Sequence, residues 1–218
     1  MCGINYSSLS IIDKMMDISR KNGNIIKPVW KWIREATVDV TLDPETAHPS
    51  LILSETRKQV RLGSKRADLP DTPQRFNYVI CVLGKEGFSS GRHYWEVEMR
   101  SKTDWTLGIA MSNASRKGPI LFRPRAGYWT IRLKNGVFTA QNETPIPLPL
   151  REKPQTVGVY VDYKEGQVSF YNAESRAHIY SFAGSTFTEK LYPVFRPGLT
   201  DEGKNSPLLI ISPVNHIT

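Results

Sequence analysis

Between residues 116 and 134 the sequence reads RKGPILFRPRAGYWTIRLK. It holds six cations (Arg116, Lys117, Arg123, Arg125, Arg132 and Lys134), no acid, and the aromatic residues Phe122, Tyr128 and Trp129. Cations interleaved with aromatics suit an anionic surface, whether of a protein, a phosphorylated ligand or RNA. Groupings that would do catalysis are weaker. Cys81 and His93 are conceivable as nucleophile and base, but Cys81 lies inside the apolar run YVICVL, where a small buried thiol is the plain expectation. Glu96 and Glu98 in WEVE share one strand face, as solvated or arginine-paired acids do. No G-x-S-x-G elbow, phosphate-binding loop or H-E-x-x-H occurs. The four histidines, His48, His93, His178 and His216, show no i, i+4 pair for a metal. The expectation is a chain with no catalytic residue, no metal and no cofactor.

Composition agrees with a binding role. The 218 residues suffice for one well-buried domain, and 39% hydrophobic with 23% charged residues is ordinary globular content. A net charge of +8 favours anionic partners without saying which. Two cysteines, Cys2 and Cys81, make no disulfide framework, so a reducing, cytoplasmic setting is expected. No apolar run reaches 18 residues, and no export signal is visible. The N-x-S/T triplets at Asn5, Asn113 and Asn142 therefore read as chance matches.

Two helices are expected near the start. Residues 7–27 carry Leu9, Ile12 and Met16 on one face, and PVWKWIREATV (28–38) opens on Pro28 and should turn Trp32 inward. Beyond them come short β-branched or aromatic runs: TVDVTL, LILSE, KQVRL, YVICVL, HYWEVEM, DWTLGIAM, YWTIRL, VGVYVDY, QVSFYN, HIYSF, LYPVF and LLIIS. Asn135-Gly136 is a two-residue hairpin signal, and Glu165-Gly166 marks another turn. Many strands without intervening helices describe an all-β chain, an antiparallel β-sandwich. Residues 1–35 read as a helical segment or linker, and 36–218 as one domain.

Three motifs in order, LDPETAH (42–48), SGRHYWEVEM (90–99) and VDYKEGQVSFYN (161–172), resemble the signatures of the PRY-SPRY domain of butyrophilins and tripartite-motif ubiquitin ligases. The resemblance covers about residues 36–214. Val161 and Lys164 depart from the usual Leu and Glu. It implies a jelly-roll-like sandwich that binds proteins through variable loops at one end. In tripartite-motif ligases such a domain selects what a separate RING ubiquitylates, in innate immunity among other settings. An upstream coiled coil, of which residues 1–27 would be the exit, makes the parent a homodimer.

Under that resemblance the binding rim is formed by residues 61–77, 100–104, 111–127 and 196–207. Its candidate contacts are Arg61, Lys65, Asp104, Thr106, Arg116, Arg123, Arg125, Tyr128, Arg132, Lys134, Arg196, Leu199, Asp201 and Asn205. Alternation along YWTIRLK assigns Trp129, Ile131 and Leu133 to the core and turns Arg132 and Lys134 outward. The implied partner is a protein with an acidic surface, Tyr128 and Phe122 serving as aromatic anchors. Two other partners stay open. One is a phosphorylated small ligand held near His93 and Arg196, with Met111 where an arginine would help; the other is RNA.

Overall fold

The computed structural model describes residues 24–99 and 102–198, and the backbone of 209–212. The expected helix over 7–27 lies outside these residues apart from its last four, where Asn24 forms a β-bridge with Ala177. One α-helix follows, α1 (Lys27–Arg34), with Pro28 in its first turn, where a missing N–H costs nothing.

Among the described residues thirteen strands succeed it: β1 (Leu51–Leu53), β2 (Gln59–Leu62), β3 (Val82–Leu83), β4 (Arg92–Glu98), β5 (Asp104–Met111), β6 (Tyr128–Lys134), β7 (Val137–Ala140), β8 (Ile146–Pro147), β9 (Thr156–Asp162), β10 (Gln167–Asn172), β11 (Ala177–Phe182), β12 (Leu191–Arg196) and β13 (Leu209–Ser212). They form two antiparallel sheets, ordered β1-β2-β13-β4-β9-β10-β11 and β3-β12-β5-β6-β7-β8. The expected β-sandwich is thus the observed fold. Two runs read as strands differ: TVDVTL supplies only isolated bridges at Thr37 and Leu42, and YVICVL is strand only over its last two residues, β3.

Strand alternation builds the core. Trp95, Val97, Val157, Val159, Val168 and Phe170 from one sheet meet Trp105, Leu107, Ile109, Trp129, Ile131 and Leu133 from the other. Asn135 (φ 51°) and Gly136 (φ 79°) join β6 to β7, the left-handed pair that lets a two-residue turn match strand twist.

The opposite residues of the seven-stranded sheet form a second apolar layer. Tyr94, Tyr160 and Tyr171 face outward and are covered by Ile25, Val29, Trp30 and Ile33. Trp30, not Trp32, is the buried indole, edge-on to Tyr94 at 5.8 Å and to Tyr171 at 5.7 Å. Trp32, two residues on, is half-buried, with the Arg92 guanidinium 4.0 Å above its ring. Tyr94 donates to Glu96, which also faces Arg34, so the outward acid of the WEVE motif is paired.

Candidate functional site: a basic cleft on the six-stranded sheet

The outer face of β6 presents Tyr128, Thr130, Arg132 and Lys134 at two-residue steps, and exposure rises along it. Tyr128 and Thr130 are buried, Arg132 is half-buried and Lys134 is exposed. The cause is a lid of loops at one end. Residues 63–81 and 112–127 place Phe76, Cys81, Ile120 and Phe122 over Tyr128, Ala110 and Val194.

Several polar ties fix that lid. Arg75, 4% exposed, donates to the carbonyls of Pro70, Pro44 and Ala47 at 2.8–3.0 Å, so a buried charge finds three acceptors. Arg116 donates to the carbonyls of Ser112 and Gln74, and the Gly118 amide donates to Asn77 Oδ1. Lys117 pairs with Asp71 and, with Asn77, holds that carboxyl below its usual range.

Tyr128 is therefore not the outward anchor that alternation suggested. Alternation does put it on the outer face, but the lid covers it, its ring packs edge-on against Phe122 at 5.1 Å, and its hydroxyl donates to the Ser115 carbonyl. Cys81, in the same layer, has its thiol pushed up to about 12 by burial, which removes it as a nucleophile.

Beyond the lid the face is polar, with Asp104, Arg132 and Arg196 half-buried and Lys134 exposed. Cross-strand register sets Arg196, Thr106 and Arg132 in one row, with Asp104 opposite Lys134 in the next. Asp104 Oδ1 lies 3.4 Å from Arg196 Nη1 and 3.7 Å from Arg132 Nε. Two guanidinium groups thus share one carboxylate, and positive charge is left over. Burial, then the neighbouring Arg196, lower the Arg132 pKa, and Asp104 only partly offsets them. Buried Lys102, at the foot of β5, is drawn down to about 8, chiefly by desolvation, and also feels Asp104. On the floor, the hydroxyls of Thr106 and Thr130 and Arg132 Nε are buried without a hydrogen-bond partner among the described residues. Unmet donors beside excess positive charge suit an acceptor-rich anion.

The structure unites Asp104, Thr106, Arg132, Lys134 and Arg196 from the sequence-derived contacts. Arg123 and Arg125 stand at the edge of the lid near Glu143, Arg116 braces the lid, and Lys65 is exposed on it. Arg61 belongs to β2 in the other sheet, away from this face. Leu199, Asp201 and Asn205 lie outside the described residues. His93 is also separated: it is on β4, stacked on Phe88 at 3.9 Å, while Arg196 is on the outer face of the other sheet. Met111 packs against the core. Thr130 and Lys102 escaped sequence reasoning. Alternation had put Thr130 on the outer face, but an unmet hydroxyl appears only once its neighbours are placed.

The two-sheet antiparallel sandwich is the architecture of a protein-interaction module. Residues 40–88 match the SPRY-associated domain and residues 92–207 the SPRY domain, and the chain belongs to this family, in its tripartite-motif and butyrophilin type. Human pyrin is 49% identical over 81% of this chain and 23% of its own length. Human zinc finger protein RFP is 44% identical over 85% and 37%, and human butyrophilin subfamily 2 member A2 44% identical over 83% and 34%. The chain thus spans well under half the length of these curated relatives. The crystal structure of the TRIM65 PSpry domain aligns with a TM-score of 0.72 at 25% identity, covering 87% of this chain and 97% of that one.

Proposed function

We propose that this domain selects a protein target by receiving an acidic segment in the cleft of Asp104, Thr106, Thr130, Arg132, Lys134 and Arg196. The carrying observation is the pair of arginines sharing Asp104 beside two hydroxyls without a hydrogen-bond partner among the described residues. Likeness to zinc finger protein RFP and to the TRIM65 domain supports placing it in a tripartite-motif-like ubiquitin ligase. There it would act in the cytoplasm as the substrate- or pathogen-recognition part. A RING elsewhere would transfer ubiquitin, and an upstream coiled coil would pair two copies.

The test is a pull-down from cell lysate that compares the domain with its Arg132→Glu/Lys134→Glu variant. A protein retained by the first and lost by the second is the expected result; the same catch from both overturns the assignment. The same arginine pair and hydroxyls would also suit a phosphoryl group, so calorimetry with pyrophosphate is the companion measurement. Heat at micromolar ligand would favour a butyrophilin-type sensor, and binding abolished by nuclease would favour RNA.

A further inference from the structure

Four Ser/Thr-Pro dipeptides occur in the sequence: Thr72-Pro73, Thr144-Pro145, Ser206-Pro207 and Ser212-Pro213. The structure separates the two whose side chains it describes. Thr72 Oγ1 is buried, and Thr72 sits in the braced lid. Thr144 and Pro145 are both exposed, in the turn between β7 and β8. β8 is a two-residue edge strand with Pro147 in it, so little holds this turn against the sheet.

What Thr144 faces matters more than its exposure. Its neighbour Glu143 accepts the Arg125 amide at 2.9 Å, and Glu143 Oε2 lies 3.8 Å from Arg123 Nε and 3.9 Å from Arg125 Nε. These are ion-pair rather than hydrogen-bond separations, and Arg123 Nε is buried with no hydrogen-bond acceptor among the described residues. One carboxylate is thus spread between two guanidinium groups, one of them short of a partner. Thr144 follows Glu143 directly, their Cα atoms about 3.8 Å apart, and so belongs to the turn that already carries the arginines' shared carboxylate.

We propose that Thr144 is a phosphorylation site for a proline-directed kinase, and that Arg123 and Arg125 clamp the resulting phosphate. The γ-phosphoryl of ATP moves to Thr144 Oγ1: the new P–O bond forms as the bond to the leaving ADP oxygen breaks, and the hydroxyl proton passes to the kinase's base. The phosphate brings close to two negative charges and three acceptor oxygens to a pair of arginines now sharing one carboxylate. It would pin the end of the lid to the β7–β8 turn and strip positive charge from the rim. Only that consequence for target choice rests on the proposed function; the site itself does not.

The test incubates the native domain, and a peptide of residues 138–150, with a recombinant proline-directed kinase and ATP. Mass spectrometry then maps the phosphate. Phosphorylation of both at Thr144, absent from Thr144→Ala, is the expected result. A native domain left unmodified at Thr144, whether or not the peptide reacts, overturns the site. Phosphorus NMR titration reads the clamp. The second phosphate pKa, ordinarily near 6, should fall by about half a unit in the native phosphoprotein and recover in Arg123→Gln/Arg125→Gln. An equal pKa in both overturns the clamp. Neither readout uses the target, so failure here and failure of the target assignment are separable.

Discussion

Asp104 receives two arginines and lies close enough to Lys102 to feel its charge, so three cations draw on one carboxylate. Lys102 makes this imbalance adjustable. Its ammonium, drawn down to about 8 by burial, loses its proton as pH rises through that value. An acidic segment in the cleft favours the protonated form, so the complex holds more proton than the free domain and affinity falls with rising pH. Between pH 7 and 9 the loss should be about fivefold, corresponding to roughly 1 kcal/mol of charge interaction near a protein surface. Calorimetry against the captured target measures it. Lys102→Met should bind more weakly at pH 7 and show a flat profile, and a variant with the native slope would remove Lys102 from the account.

Helix α1 depends on its packing against the sheet, since eight residues are too few to be helical unaided. Trp30→Ala should therefore cost about 3 kcal/mol in urea denaturation, from lost burial against Tyr94 and Tyr171 and the cavity left behind. Target capture should survive wherever the domain stays folded, because α1 lies on the sheet opposite the cleft. At this scale local patterns explain what could be read directly. The Asn135-Gly136 turn and the alternation in WEVEM and YWTIRLK need only neighbouring residues, and they assigned the core-facing residues correctly. The choice of Trp30 over Trp32, the covering of Tyr128 and the burial of Arg75 depend on contacts between residues far apart in sequence. No local period carries that information. The same holds for β8, two exposed residues too short to leave a pattern.

Across the whole molecule a charge of +8 acts at longer range than any one contact. The association rate with an acidic target should fall about tenfold between 50 and 500 mM salt while dissociation changes little, as surface plasmon resonance can measure. Arg132→Glu/Lys134→Glu should flatten that dependence. A rate insensitive to salt would mean that encounter is not steered by the rim. The order of strands has a separate consequence. β13, formed by residues 209–212, sits between β2 and β4 and pairs with both. During synthesis β2 and β4 emerge with a vacant lane between them, and the seven-stranded sheet cannot close until a strand more than a hundred residues later leaves the ribosome. A chain stopped just before Leu209 would lose that lane and part the sheet, setting the β1–β2 hairpin loose from the rest.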